Sequence, residues 1–172
     1  EQFIAALHPF ISTPRLAKRF INIYRLLRVQ AASDDKKFAR FIDQENGEYR
    51  VVLMLLAISV GRADTGPQIL SDFSSIAPET AGLLKWLPIA AKKYKEDWTS
   101  LFGERSEENK RSSLSVPPSD RGEQLEKLSN AAAEIHRSLG TVIKQLGENG
   151  GPTFEDDFEL GREWSCDVGR YS

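Results

Sequence analysis

The run VVLMLLAISV, residues 51–60, contains no charged residue and no proline or glycine. On a wheel of about 100° per residue its apolar side chains point in every direction. Such a helix belongs at the centre of a bundle rather than on its surface, and the pattern extends it from Glu48 to Val60, with Gly61 as its terminator. A bilayer span needs about 20 apolar residues, so this run is too short to be one. The rest of the chain must then cover the central helix, and no stretch has a convincing period-two strand pattern. The fold read from the sequence is mainly α: an irregular multi-helix bundle with one long C-terminal heptad-patterned helix after a flexible linker.

Composition narrows the function classes. The chain has 172 residues, 40% of them hydrophobic and 28% charged, which fits a soluble globular domain with room for an appendage. Its net charge is −2, whereas a dedicated nucleic-acid binder usually has a basic excess; any basic function has to be local. A single cysteine, Cys166, and two histidines rule out an intrachain disulfide and a Cys/His zinc site, and point to a reducing, cytoplasmic setting. The chain begins with Glu1 in a stretch that is already apolar, without a signal peptide, and reads as a piece of something longer.

Four segments follow from the patterning. Residues 1–102 read as a helical domain. Within it, a short helix over Lys36–Asp43 leads to an Asn46-Gly47 turn, another helix restarts at Pro67, and two short helices are bent at Pro88. Residues 103–122, rich in Ser, Pro and charge, read as a flexible linker or long loop. In residues 123–148 the positions Leu125, Leu128, Ala132, Ile135, Leu139, Val142 and Leu146 alternate steps of three and four, a heptad seam that needs a partner, either the body or a second chain. Gly140 weakens that helix slightly. Residues 149–172 form an acidic tail with Phe154, Phe158, Trp164 and Tyr171, expected to pack on the body, with EDDFELGRE as a solvated acidic turn.

Catalytic signatures are missing. The P-loop, Gly-x-Gly-x-x-Gly and His-Glu-x-x-His patterns do not occur, His8 and His136 have no plausible triad partner, and Cys166 reads as a packing residue near aromatics. No metal-ligand spacing is present.

What remains is STPRLAKRFINIYRLLR, residues 12–28. Ser12 or Thr13 can cap a helix whose first position is Pro14. Leu16, Phe20, Ile23, Tyr24 and Leu27 share one arc. Arg15, Lys18, Asn22 and Arg25 share the other, with Arg19 at its edge and Ile21 and Leu26 as apolar exceptions. The first acid after Glu1 is Asp34, so nothing nearby neutralises the basic face.

TPRLAKRFINIYRLLR resembles the Pro-Arg-x-x-Lys-Arg-Phe-x-Asn segment downstream of the nucleotide-binding core in bacterial KAP-like and STAND-type P-loop NTPases. YRVVLMLLAISVG is similar to the apolar helix that follows it there, and EWSCDVGRYS to the tail of many such proteins; together the likeness covers residues 10–61 and 164–172. It implies a non-catalytic regulatory or interaction module, with an upstream P-loop core of the same chain as partner. That module would couple nucleotide state to the orientation of the helices, and ATP and magnesium would belong to the parent protein. Arg15 would sense the nucleotide phosphates, with Lys18 and Arg19 as secondary candidates, because a guanidinium reads phosphate bidentately and stays charged. Two alternatives come from the residues alone. One is nucleic-acid binding through the basic face that includes Asn22 and Arg25; the other is oligomerisation through the Leu125–Leu146 seam.

Overall fold

The computed structural model describes residues 2–43, 48–75, 82–103, 120–147 and 158–169. These form eight helices and no strand: α1 Gln2–Ala6, α2 Pro14–Ala31, α3 Asp35–Ile42, α4 Tyr49–Gly61, α5 Gly66–Ser74, α6 Leu83–Gly103, α7 Asp120–Gly147 and α8 Phe158–Gly169.

Helix α4 is the axis. Every residue from Val51 to Val60 is buried, including Ser59. Three helices cover it: α2 with Phe20, Ile23 and Leu27, α5 with Ile69, Leu70 and Phe73, and α8 with Trp164 and Val168. The chain closes tightly around the end of α4. A Cβ on Gly61 would collide with the Phe10 carbonyl oxygen, and one on Gly66 would lie 2.7 Å from the Ile58 carbonyl oxygen. Both positions therefore need glycine for close backbone approach.

Helices α6 and α7 pack against each other and join the same core. Trp86, Leu87, Ala90 and Tyr94 from α6 are buried in one cluster with Leu128, Ala132, Ile135, Leu139 and Val142 from α7, and Phe73 of α5 packs at 5.4 Å on the Trp86 ring. The heptad seam is thus occupied by the chain's own helices, and using it between chains would require this pairing to open. Polar contacts fix the arrangement: Tyr94 Oη donates to Asp72, Ser129 Oγ donates to the Ala91 carbonyl at 2.8 Å, and Arg62 pairs with Glu134 at 2.6 Å.

Four sequence expectations need correcting or bounding. Pro88 lies inside one continuous helix rather than between two. It sits early in α6 on the exposed side, so the carbonyl it leaves without a donor can be hydrated while both flanking turns pack on the core. Part of the acidic stretch forms the start of α8 instead of a turn. Cys166 is exposed rather than packed, because it falls two residues from both Trp164 and Val168, which face inward. The expected linker is shorter than residues 103–122, since Gly103 belongs to α6 and residues 120–122 already belong to α7; its remainder, the Asn46-Gly47 turn, Phe154, Tyr171 and the side chains of Leu146 and Phe158 lie outside the described residues.

Helix α8 is held by a small polar network. The Trp164 side chain is fully buried, and its Nε1 donates to Glu48 Oε2 at 2.9 Å. Arg40 binds the other oxygen of Glu48 at 3.1 Å, and this carboxylate is only 3% exposed. Lys37 lies 4.2 Å from the Trp164 ring centre and pairs with Asp167 at 3.0 Å, while Gln30 Nε2 donates to the second oxygen of Asp167 at 3.4 Å. A buried carboxylate tolerates its site only when its oxygens are matched in this way.

Two stability measurements check this account. Trp164→Phe keeps the aromatic filling but strips a donor from buried Glu48, so urea denaturation should show a loss of about 1–3 kcal/mol. The glycines should respond in opposite senses. Gly61→Ala should destabilise, whereas Gly140→Ala, where an added methyl meets nothing within 4 Å, should stabilise α7 by about 0.5–1 kcal/mol.

Candidate functional site

The surface that structural packing leaves over is the outer side of α2. Thr13 caps the helix, its Oγ1 accepting from the Leu16 N–H at 3.3 Å, and Pro14 sets the first turn. The helix is then rotated by its apolar arc: Phe20, Ile23, Leu27 and Ala31 are buried, and Leu16 and Tyr24 pack against the same core. That rotation leaves Arg15, Lys18, Arg19, Asn22, Arg25 and Arg28 all exposed. The side chains of Arg15, Lys18, Asn22 and Arg25 have no hydrogen-bonding or ionic partner among the described residues. Arg15, Lys18 and Arg19 thus lie on one helix surface, joined by Asn22 and Arg25.

The placement of Arg15 runs against local electrostatics. The positive end of a helix dipole favours acids in the first turn, yet α2 has none there and carries Arg15 instead. Arg15 thus costs local stability without a compensating partner among the described residues.

Aliphatic residues sit among the cations. Ile21, Leu26 and Val29 are 46%, 53% and 71% exposed. Ile21 also forms one wall of an open groove of about 680 Å³ between α1, α2 and α4. Buried Phe20 and Leu53 line it together with Ile4 of α1, His8 of the turn after α1, and Tyr24 and Tyr49. Burial lifts the Tyr24 phenol above the ordinary tyrosine range, and the nearby Arg28 guanidinium partly counters the shift. Arg28 lines a smaller hollow of about 350 Å³ that shares Tyr24 and Tyr49 with the groove.

The basic face was readable from the wheel, with Ile21 and Leu26 marked there as misfits. The groove was not, since its walls come from segments that are not adjacent in sequence; of the two misfits only Ile21 lines it. Neither imidazole, of exposed His8 or half-buried His136, has a side-chain hydrogen-bond partner among the described residues. No cluster of three His, Cys, Asp or Glu there could hold a metal ion, and no helix there is long and apolar enough to cross a membrane. No protein-family model matches the chain, and neither curated proteins nor solved structures provide a match.

If Arg15 serves binding rather than folding, Arg15→Glu should leave the thermal midpoint unchanged or raise stability by about 0.3–1 kcal/mol, through the helix dipole. A drop of more than about 1 kcal/mol, outside the usual range for surface changes, would make Arg15 a structural residue.

Proposed function

We propose that this chain is a non-catalytic regulatory docking module that receives an anionic partner on the outer face of α2. The observation that carries the reading is the set of exposed side chains Arg15, Lys18, Asn22 and Arg25, without a partner among the described residues, on a helix that contains no acid. Because α2 is packed through Phe20, Ile23 and Leu27 into the core that also holds α4, α5 and α8, a partner that moves α2 moves the bundle with it.

The resemblance of residues 14–22 to the segment after the core of KAP-like and STAND-type P-loop NTPases supplies the identity of the anion. The partner is a nucleotide-loaded P-loop core upstream in the same protein, and ATP and magnesium belong to it. Arg15 is the residue proposed to reach the phosphates. It projects from a start that Thr13 and Pro14 make rigid, and its guanidinium is free of the module's own carboxylates among the described residues. Lys18 and Arg19 flank it. Nucleic acid is less favoured as the anion, since exposed Ile21, Leu26 and Val29 interrupt the basic surface where a phosphate backbone would lie.

The test is Arg15→Ala in the natural full-length gene product. Loss of a charge-assisted contact is worth about 1.5–3 kcal/mol, so nucleotide affinity or nucleotide-dependent assembly should fall by about tenfold or more. Unchanged nucleotide binding, turnover and assembly would remove Arg15 from the mechanism.

A further inference from the structure

We infer that the groove between α1, α2 and α4 is the seat of an amphipathic helix whose apolar stripe is edged by carboxylates on the side that meets α2. This rests on the docking role proposed above and deepens it by naming the chemistry of the partner segment.

The argument begins with spacing. Lys18, Ile21, Arg25 and Arg28 follow one another along α2 at steps of three, four and three, so they lie in one row on the helix surface. Ile21 is at once a member of that row and a wall of the groove. The groove therefore has an apolar floor and one cationic rim, with Lys18 and Arg25 about 10 Å apart and Arg28 about 5 Å further along the axis. The opposite wall is α1 and the turn after it, with exposed Ile4 and the His8 ring, and carries no charged lining residue among the described residues.

An occupant that fits has three properties. It is apolar where it meets Phe20, Leu53 and Ile4. It carries acids on one edge only, at steps of about seven residues, to meet Lys18 and Arg25. It runs at least two turns, the length of α2 between Ala17 and Tyr24 that lines the groove. A helix meets these conditions, since its side chains divide naturally into a stripe and two edges.

Other occupants fit less well. A second copy packed isologously through this face would set the two cationic rows close to one another. A nucleic-acid backbone would satisfy the rim and leave the apolar floor wet. A bilayer surface offers nothing that enters a concave trough between two helices.

The test uses the 172-residue chain and two labelled synthetic helical peptides of about 18 residues, long enough to form a stable helix on binding. Both carry the same leucine stripe; one edge is glutamate in the first peptide and lysine in the second. In fluorescence anisotropy at low salt, the glutamate-edged peptide should bind at least tenfold more tightly than the lysine-edged one. Arg25→Glu should reverse that order, and Ile21→Ser should weaken the glutamate-edged peptide by about tenfold, while circular dichroism shows both variants folded.

Equal binding of the two peptides, absence of binding by either, or an Arg25→Glu variant with unchanged preference each overturns the inference. A parallel sedimentation arm uses phosphatidylcholine vesicles with and without phosphatidylserine. Binding there without peptide binding assigns the surface to lipid and also overturns it. Failure of the wider docking role is separable: it appears as a silent Arg15→Ala in the full-length protein, whatever the peptides do.

Discussion

A helix whose side chains are buried on every side cannot be stabilised by one neighbour. From Val51 to Val60, α4 has to be covered by α2, α5 and α8 together, and each of those helices is amphipathic because it has one side to give to that task. The hydrophobic gain from fully burying each large aliphatic side chain, about 1.5–3 kcal/mol, is obtained only when all three are in place. The order of elements along the chain is thereby subordinated to one geometric demand. The last helix in sequence must return to the first half of the molecule, and α8 does so against α4 and α5.

That return is made specific by polar groups. An apolar helix could slide or rotate on α4, but Trp164 has an indole N–H that must find an acceptor when buried. Glu48 supplies it, and Arg40 neutralises the same carboxylate from the neighbouring α3. Lys37 and Gln30 then hold Asp167 from α3 and α2. The C-terminal helix is tied to three separate elements, so its register is tied to theirs. The same network makes Lys37 and Arg40 structural cations, whereas Arg15, Lys18 and Arg25 on α2 have no such partner among the described residues.

The outer face of α2 is where consistency between local and global preference breaks. Arg15 sits at the positive end of the helix, and Ile21, Leu26 and Val29 are exposed. Exposed aliphatic residues also occur on other helices, as at Ile4, Ile42 and Ile89, but on α2 they lie among Arg15, Lys18 and Arg25, which have no side-chain partner among the described residues. This surface combines an apolar trough with cations that have no partner among the described residues, and the proposed role is that another body completes it with carboxylates or phosphates together with apolar contact. Both proposals for the partner take that incompleteness as their physical ground.

The sequence by itself determined the helices whose periodicity is local. The wheel of residues 14–31 separates the buried from the exposed arc of α2, the unbroken run of α4 marks it as central, and the three-four alternation of α7 marks its buried seam. Each of these follows from side chains projecting at fixed angles along one helix, so no distant residue is needed to read them. What covers what was decided only in three dimensions. Whether the seam on α7 meets a second chain or α6, whether Pro88 breaks α6, and whether acids such as Glu48 and Asp167 are solvated or buried all depend on partners remote in sequence. The burial of Glu48 depends on an indole 116 residues away, and no local pattern announces it. The groove belongs to the same class, because a concavity is a property of the space between helices and has no residue of its own.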